Sequence, residues 1–253
     1  MRIGFLGVGT IAEALIRGFE HRGDGGHSYY LSPRNVLRVA GLCKDFRACV
    51  ACDSNQAVVD ACDVIIISLK TKKPLETVEA LKGLKFRKDQ HIINVVGSMP
   101  VEDIKEACGA AASFSHVIAL PSVRLNYGPI LVCSQTAIIG ELFEGMGDLF
   151  FIDDIGQIKA MQAVTGLMAG FYAMMQELSV GLQKTGVSGD TGALFLSSFF
   201  GALCRDIKDG DFEGLMDEMT PGGLNMFALE MLEDKGAIKG LSEIMGRVVA
   251  RLE

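Results

Sequence analysis

The segment Gly7-Val8-Gly9-Thr10-Ile11-Ala12 constrains this chain more than any other. It follows an apolar run, Ile3–Leu6, and precedes a helical pattern over Ile11–Phe19. In a G-x-G-x-x-G/A loop the first glycine permits a tight turn and the second lets the backbone approach a pyrophosphate. A small third residue, here Ala12, allows the helix to pack closely on the sheet. Phosphates then meet unpaired N–H groups and the positive end of the helix dipole. A strand, loop and helix of this kind at the start of a chain lead into a parallel α/β sheet.

Short β-rich runs and helical stretches do alternate up to about residue 150. After Ile3–Leu6, strands are expected at Ser28–Leu31, Ala48–Ala51, Val64–Ile67, His91–Val96, Ser115–Ala119, Pro129–Cys133 and Leu149–Ile152. The β-branched run Val64-Ile65-Ile66-Ile67 suits a central parallel strand buried on both faces. Helices are expected from about Asn35 to Cys43, after a cap at Asp53 or Ser54, and from Pro100, where proline and acids form the first turn. This alternation predicts a Rossmann-type doubly wound sheet with right-handed crossovers over residues 1–154. Beyond Asp154 no β-branched run recurs, and nine of the twelve methionines lie after residue 160. Apolar helical stretches broken at Gly186–Gly189, Asp209-Gly-Asp and Pro221-Gly-Gly predict an all-helical domain over residues 155–253.

The end of the second strand bears on the cofactor. An NAD-binding chain usually places Asp or Glu there, about 20 residues past the loop, to hold the ribose 2′-hydroxyl. This chain reads Leu31-Ser32-Pro33-Arg34-Asn35, and Glu20 and Asp24 come too early. No carboxylate repels a 2′-phosphate, and Ser32 and Arg34 can hydrogen-bond one. The expected cofactor is NADP(H).

Composition narrows the partners. A net charge of −7 argues against nucleic acid and anionic lipid. Ala160–Gln176 and Thr191–Cys204 carry no charge, yet both fall short of the roughly 20 apolar residues of a spanning helix. With 49% apolar residues and a mean hydropathy of +0.31, the surplus is best placed in a subunit interface between helices. Seven scattered cysteines suit reduced thiols in the cytoplasm better than a disulfide framework. Cys49-Val-Ala-Cys52 lacks the second pair of a zinc site, and the four histidines have no ligand spacing, so no metal is expected. Thr220-Pro221-Gly222-Gly223-Leu224-Asn225 can present free N–H groups to a carboxylate, or be a plain interhelical turn.

These residues together resemble the pyrroline-5-carboxylate reductases, NAD(P)H-dependent enzymes that make proline from its cyclic imine. The likeness covers most of the length. Gly4–Gly9 with Ala12–Gly18 looks like the family's first strand and helix, and Asn55 sits where the family has an asparagine near the adenosine end. Asp63–Lys70 is similar to its aspartate-to-lysine strand, with Thr71 in place of a proline. Met219–Gly223 is similar to its Ser-Pro-Gly-Gly loop. The resemblance implies a helical domain that dimerises by interleaving, and an active site between the nicotinamide and the Pro-Gly-Gly loop. It implies hydride transfer from NADPH to the imine carbon of a small cyclic imine acid, with pyrroline-5-carboxylate the default substrate. The expected cofactor contacts are Gly7, Gly9, Thr10 and Ile11 in the loop and Ser32, Arg34 and Asn55 beyond it. Leu69, Lys70, Val96 and Gly97 complete them at the ends of two later strands. Gly222, Gly223 and Leu224 would bind substrate, with Thr220 and Asn225 as catalytic residues.

Departures gather on the substrate side. The family's Met-Pro-Asn is Leu120-Pro121-Ser122, its Ser-Gly-Ser-Gly-Pro helix start is reduced to Val164–Met168, and its threonine after the double glycine is Asn225. Two alternatives therefore stand beside the reductase. One is a β-hydroxyacid-dehydrogenase-like or imine-reductase-like enzyme, echoed by Gly156-Gln-Ile-Lys159. The other is an NADPH-binding paralogue without turnover.

Overall fold

The computed structural model describes residues 1–23, 26–69, 74–97, 101–109, 113–207 and 210–252. Eight strands form one sheet: β1 (Arg2–Leu6), β2 (Ser28–Leu31), β3 (Cys49–Ala51), β4 (Val64–Ile67), β5 (His91–Asn94), β6 (Ser113–Ala119), β7 (Pro129–Cys133) and β8 (Asp148–Phe151). Their order is β3-β2-β1-β4-β5-β6-β7-β8, and every neighbouring pair is parallel except β6 with β7. The order reverses at β1, so a crevice opens between the carboxyl ends of β1 and β4, where doubly wound sheets bind ligands. The expected doubly wound fold is present, with a single antiparallel step near one edge.

Helices cover both faces because the strands are apolar on both. Ile3, Phe5 and Ile66 point to one side and pack with Leu15, Ile16 and Phe19 of α1 (Thr10–Arg22). Leu6, Ile65 and Ile67 point to the other and pack with Val58 and Val59 of α3 (Asn55–Ala61). Between these helices lies α2 (Val36–Asp45), and α4 (Pro74–Lys82), α5 (Val101–Ala107) and α6 (Ala137–Phe143) follow in order. Each fully buried large side chain in these layers contributes about 1.5–3 kcal/mol. Of the two residues expected as cap of α3, Ser54 serves: its hydroxyl accepts the Ala57 N–H at 3.1 Å. Expected and observed strands agree within two residues at either end. The largest differences are two residues: β6 starts at Ser113 rather than Ser115, and β5 stops at Asn94 rather than Val96, where the Asn94 side chain takes the Val96 N–H at 3.0 Å. Pro100, the expected helix start, lies outside the described residues.

The chain divides into two compact units, Met1–Gln162 with Leu252–Glu253, and Ala163–Arg251. The division falls inside α7 (Ile155–Thr165). The second unit holds α8 (Met168–Lys184), α9 (Gly189–Asp206), α10 (Phe212–Asp217), α11 (Leu224–Asp234) and most of α12 (Ala237–Leu252). The helices break near Gly186, Gly210 and Gly222 as expected, with a further break at Gly236, while Asp209 lies outside the described residues. Phe200 of α9 meets Phe171 of α8 edge to face, with ring centroids 5.9 Å apart. Among the described residues of this unit, Ala163, Gly192 and Leu196 alone are buried. Leu194, Phe195, Tyr172, Phe227 and Leu224 are exposed, the last at 86%. Helices with so little interior of their own are not stable in isolation.

A 3₁₀ turn, Pro121–Leu125, crosses α1 at Gly18. A Cβ there would press into the Val123 carbonyl and stand 2.7 Å from Met146 Cε. Alanine gains about 1 kcal/mol of helix propensity over glycine. Overlap in a packed contact costs about 1–3 kcal/mol. Gly18→Ala should therefore lose about 1 kcal/mol net, seen as a lower urea midpoint at unchanged slope.

Candidate functional site

The turn after β1 is tight because Gly7 has φ +92° and lies against the end of β4. A Cβ on Gly7 would stand 2.5 Å from the Ser68 carbonyl oxygen, so both the dihedral and the contact exclude a side chain. The Gly7 N–H donates to Ser32 Oγ at 2.8 Å, and Ser32 is buried under the loop. Gly9 serves differently. It is the N-cap of α1 with extended backbone, and a Cβ there would meet nothing within 4 Å. Its bareness faces open space and leaves the backbone approachable. The first intrahelical bond runs from the Glu13 N–H to the Gly9 carbonyl. The N–H groups of Thr10, Ile11 and Ala12 before it have no helical acceptor and make an anion site.

An open cleft of about 570 Å³ lies over this loop. Gly7, Gly9, Thr10 and Arg34, all predicted, line it together with Val8, Asn35, Val36, Leu37, Arg38 and Ser68. Asn35 ties the first turn of α2 to the loop by donating from Nδ2 to the Val8 carbonyl at 3.0 Å. Arg38 reaches across from α2, with Nη1 3.4 Å from Thr10 Oγ1 and Nε 3.1 Å from Glu13 Oε2. Glu13 is held from its other side by Arg17 Nε at 3.0 Å. Two guanidinium groups thus border the cleft, one exposed at Arg34 and one oriented by a carboxylate at Arg38. The sequence reading missed Arg38. Its signal was faint: a basic residue one helical turn beyond Arg34, on a surface helix where arginine is ordinary. The cleft fits a dinucleotide, because it combines bare glycine backbone, free helix N–H groups and two cations.

Other predicted contacts stand along the same carboxyl edge of the sheet but do not line this cleft. Ile11 is half-buried in the first turn of α1, Ser32 lies beneath the loop, and Asn55 opens α3. Leu69 follows β4, and Lys70 lies outside the described residues. Val96 and Gly97 follow β5, where Gln162 Nε2 of α7 donates to the Gly97 carbonyl at 3.1 Å. Lys159 of α7 is partly exposed beside the buried Ile158. Among the described residues no three His, Cys, Asp or Glu side chains gather as a metal would require. Burial pushes the Cys49 thiol up to about 12, which makes it a packing group.

The predicted substrate-side residues sit at the start of α11. Gly222 has φ +69°, and the Gly223 N–H donates to the Thr220 carbonyl at 2.9 Å. Gly223 caps α11 without a side chain, leaving the N–H groups of Leu224, Asn225 and Met226 ahead of the first intrahelical bond, from Phe227. Thr220 and Asn225 are exposed, and Asn225 Nδ2 lies 3.0 Å from Met219 Sδ.

Residues 2–98 match the family model described as NADP oxidoreductase coenzyme F420-dependent. The chain is 26% identical to pyrroline-5-carboxylate reductase 2 of Bacillus subtilis over 246 residues, covering 92% of this chain and 87% of the relative. The solved pyrroline-5-carboxylate reductase of Streptococcus pyogenes superposes with a TM-score of 0.84 at 18% identity, over 100% of this chain and 98% of that one. That of Plasmodium falciparum, solved with NADP bound, superposes with a TM-score of 0.82 at 18% identity, over 100% and 97%. The resemblance read from the sequence is borne out along the chain. No described helix is long and apolar enough to cross a membrane.

The buried Ser32 hydroxyl and the exposed Arg34 should behave oppositely. Ser32→Ala orphans the Gly7 N–H and should cost about 1–3 kcal/mol of stability. It should weaken NADPH and NADH equally, since it acts through the loop. Arg34→Ala should leave stability unchanged and weaken NADPH far more than NADH. Equilibrium binding of both nucleotides to each variant checks this, and a loss confined to NADPH in Ser32→Ala would place that hydroxyl at the 2′-phosphate instead.

Proposed function

We propose that this protein is an NADPH-dependent reductase that converts pyrroline-5-carboxylate to proline, working as a homodimer or larger homo-oligomer in the cytoplasm. The observation that carries the reading is likeness to pyrroline-5-carboxylate reductases over nearly the whole chain. The glycine cleft bordered by Arg34 and Arg38, with no carboxylate at the end of β2, supports NADPH over NADH.

When bound, NADPH supplies the hydride that reduces the imine carbon. The chain's own residues bind and orient. Thr10, Ile11 and Ala12 N–H groups hold the pyrophosphate, and Arg34 with Arg38 hold the 2′-phosphate. Asn55, Leu69, Lys70, Val96 and Gly97 position the remainder. Past the Gly222-Gly223 turn, the N–H groups of Leu224, Asn225 and Met226 are offered to the substrate carboxylate, with the Thr220 and Asn225 side chains beside them. Once hydride reaches carbon, the ring nitrogen needs a proton. A Thr220 hydroxyl can relay one from water, whereas an Asn225 amide donates a hydrogen bond and keeps its proton. Such a site works chiefly by holding two reactants in line.

The exposed apolar side chains on α8, α9, α11 and α12 support association through the helical unit, because a second copy can cover what the single chain leaves in water. Seven free cysteines suit a reducing compartment.

Purified protein given NADPH with pyrroline-5-carboxylate, its six-membered homologue and a panel of 2-keto and semialdehyde acids tests the reading. Oxidation with the imines alone supports it. Activity on keto or aldehyde acids, or binding without consumption, overturns it. Asn225→Ala should lower kcat by about tenfold to a hundredfold while NADPH affinity stays unchanged, as for loss of one positioned donor. Equal loss of both would remove Asn225 from the site.

A further inference from the structure

β5 ends on a buried amide. Asn94 is fully buried and pairs in register with Ile67 of β4 and His116 of β6. An amide in the middle of a parallel sheet is costly unless its groups are used, and here they are. Its Oδ1 accepts the Val96 N–H at 3.0 Å, and its Nδ2 lies 2.9 Å from His116 Nδ1. The Val96 N–H fixes which way the amide faces, so the Nδ2 hydrogens are presented to the ring. His116 Nδ1 also lies 3.2 Å from the Asn94 carbonyl oxygen, so the ring nitrogen faces both the side chain and the backbone of Asn94. Burial keeps the imidazole neutral by pushing it down to about 4. One residue on, Gln162 of α7 donates from Nε2 to the Gly97 carbonyl at 3.1 Å. Gly97 has no room for a side chain, because a Cβ would strike that same amide.

Asn94 and Gln162 thus hold the backbone of two successive residues, Val96 and Gly97, past the end of a central strand, and His116 of β6 holds the Asn94 amide. Apolar residues would fill the same space without a desolvation cost, so packing alone does not explain them. Position along the sheet does. The glycine loop lies after β1, and the carboxyl ends of β4 and β5 lie across the switch point from β2. A dinucleotide whose pyrophosphate rests on α1 and whose adenosine lies toward Arg34 extends its other half toward β4 and β5. We infer that Asn94, His116 and Gln162 form a clamp that fixes the Val96–Gly97 backbone against the nicotinamide half, making them positioning residues for hydride transfer. The inference rests on the reductase reading above for the chemistry, and on the cleft alone for the placement.

The test separates the two halves of the cofactor. Asn94→Ala/His116→Leu replaces both partners with apolar groups and releases the Val96 N–H from its acceptor. Adenosine 2′,5′-bisphosphate, which carries only the adenosine half, should bind this variant as it binds the wild type. NADPH affinity and kcat with the imine should fall by about tenfold to a hundredfold, as expected when a reacting group is misplaced by about an ångström. Asn94→Ser, whose hydroxyl can still accept the Val96 N–H, should recover part of the loss. Gln162→Ala, at a half-buried site that folding tolerates better, should show the same split. Unchanged NADPH affinity and kcat in folded variants overturn the clamp, as does parallel loss of both ligands. Wild-type protein that binds NADPH but reduces no imine removes the reductase reading instead, and the ratio of the two affinities still decides the clamp.

Discussion

One backbone turn at Gly7 organises the rest of the site. With φ at +92° and the Ser68 carbonyl where a side chain would begin, the chain leaves β1 along a path open only to glycine. The Ser32 hydroxyl locks that path by accepting the Gly7 N–H, which links the ends of β1, β2 and β4 in one small cluster. From this turn α1 starts with its N–H groups facing the cleft. Asn35, bonded to the Val8 carbonyl, then brings α2 and its Arg38 to the other wall. The cations are placed by the same economy: Arg38 leans on Glu13, and Glu13 leans on Arg17, which also reaches Asp45 at 2.8 Å.

Much of this was legible in the chain because it depends on local pattern. β2, β4 and β7 have the limits expected from their aromatic and β-branched runs, and the glycine loop occupies the place its spacing predicts. What escaped was non-local. Val95 and Val96 look like strand, and only a side chain folding back from Asn94 ends β5 before them. Ser32 reads as a phosphate ligand from its place at the end of β2, and the structure adds a second role for its hydroxyl. Its hydrogen bond to a residue 25 positions away cannot be seen in sequence. Arg38 looked like helix surface until the cleft showed what it faces.

The two halves of the chain meet burial differently. In the sheet, alternate residues of β1 and β4 feed two separate apolar layers, so each strand anchors helices on both sides. In the helical unit, Leu196 is buried in α9 while Leu194 and Phe195 beside it are exposed at 74% and 58%. Methionine, phenylalanine and leucine rich helices of this kind carry their apolar faces outward. This explains a mean hydropathy of +0.31 in a chain whose described helices include no candidate membrane span.

The division between the two units falls within α7, between Gln162 and Ala163, and not in a loop. A protease needs an extended stretch of chain in its cleft, and a hydrogen-bonded helix offers one only after local unfolding. The boundary itself is therefore a poor site for nicking. For the same reason an insertion at this boundary would turn the remaining residues of α7, Ala163–Thr165, around the helix by about 100° per inserted residue. Any exchange of segments at this boundary would have to keep the helical hydrogen bonding of α7 unbroken across Gln162 and Ala163.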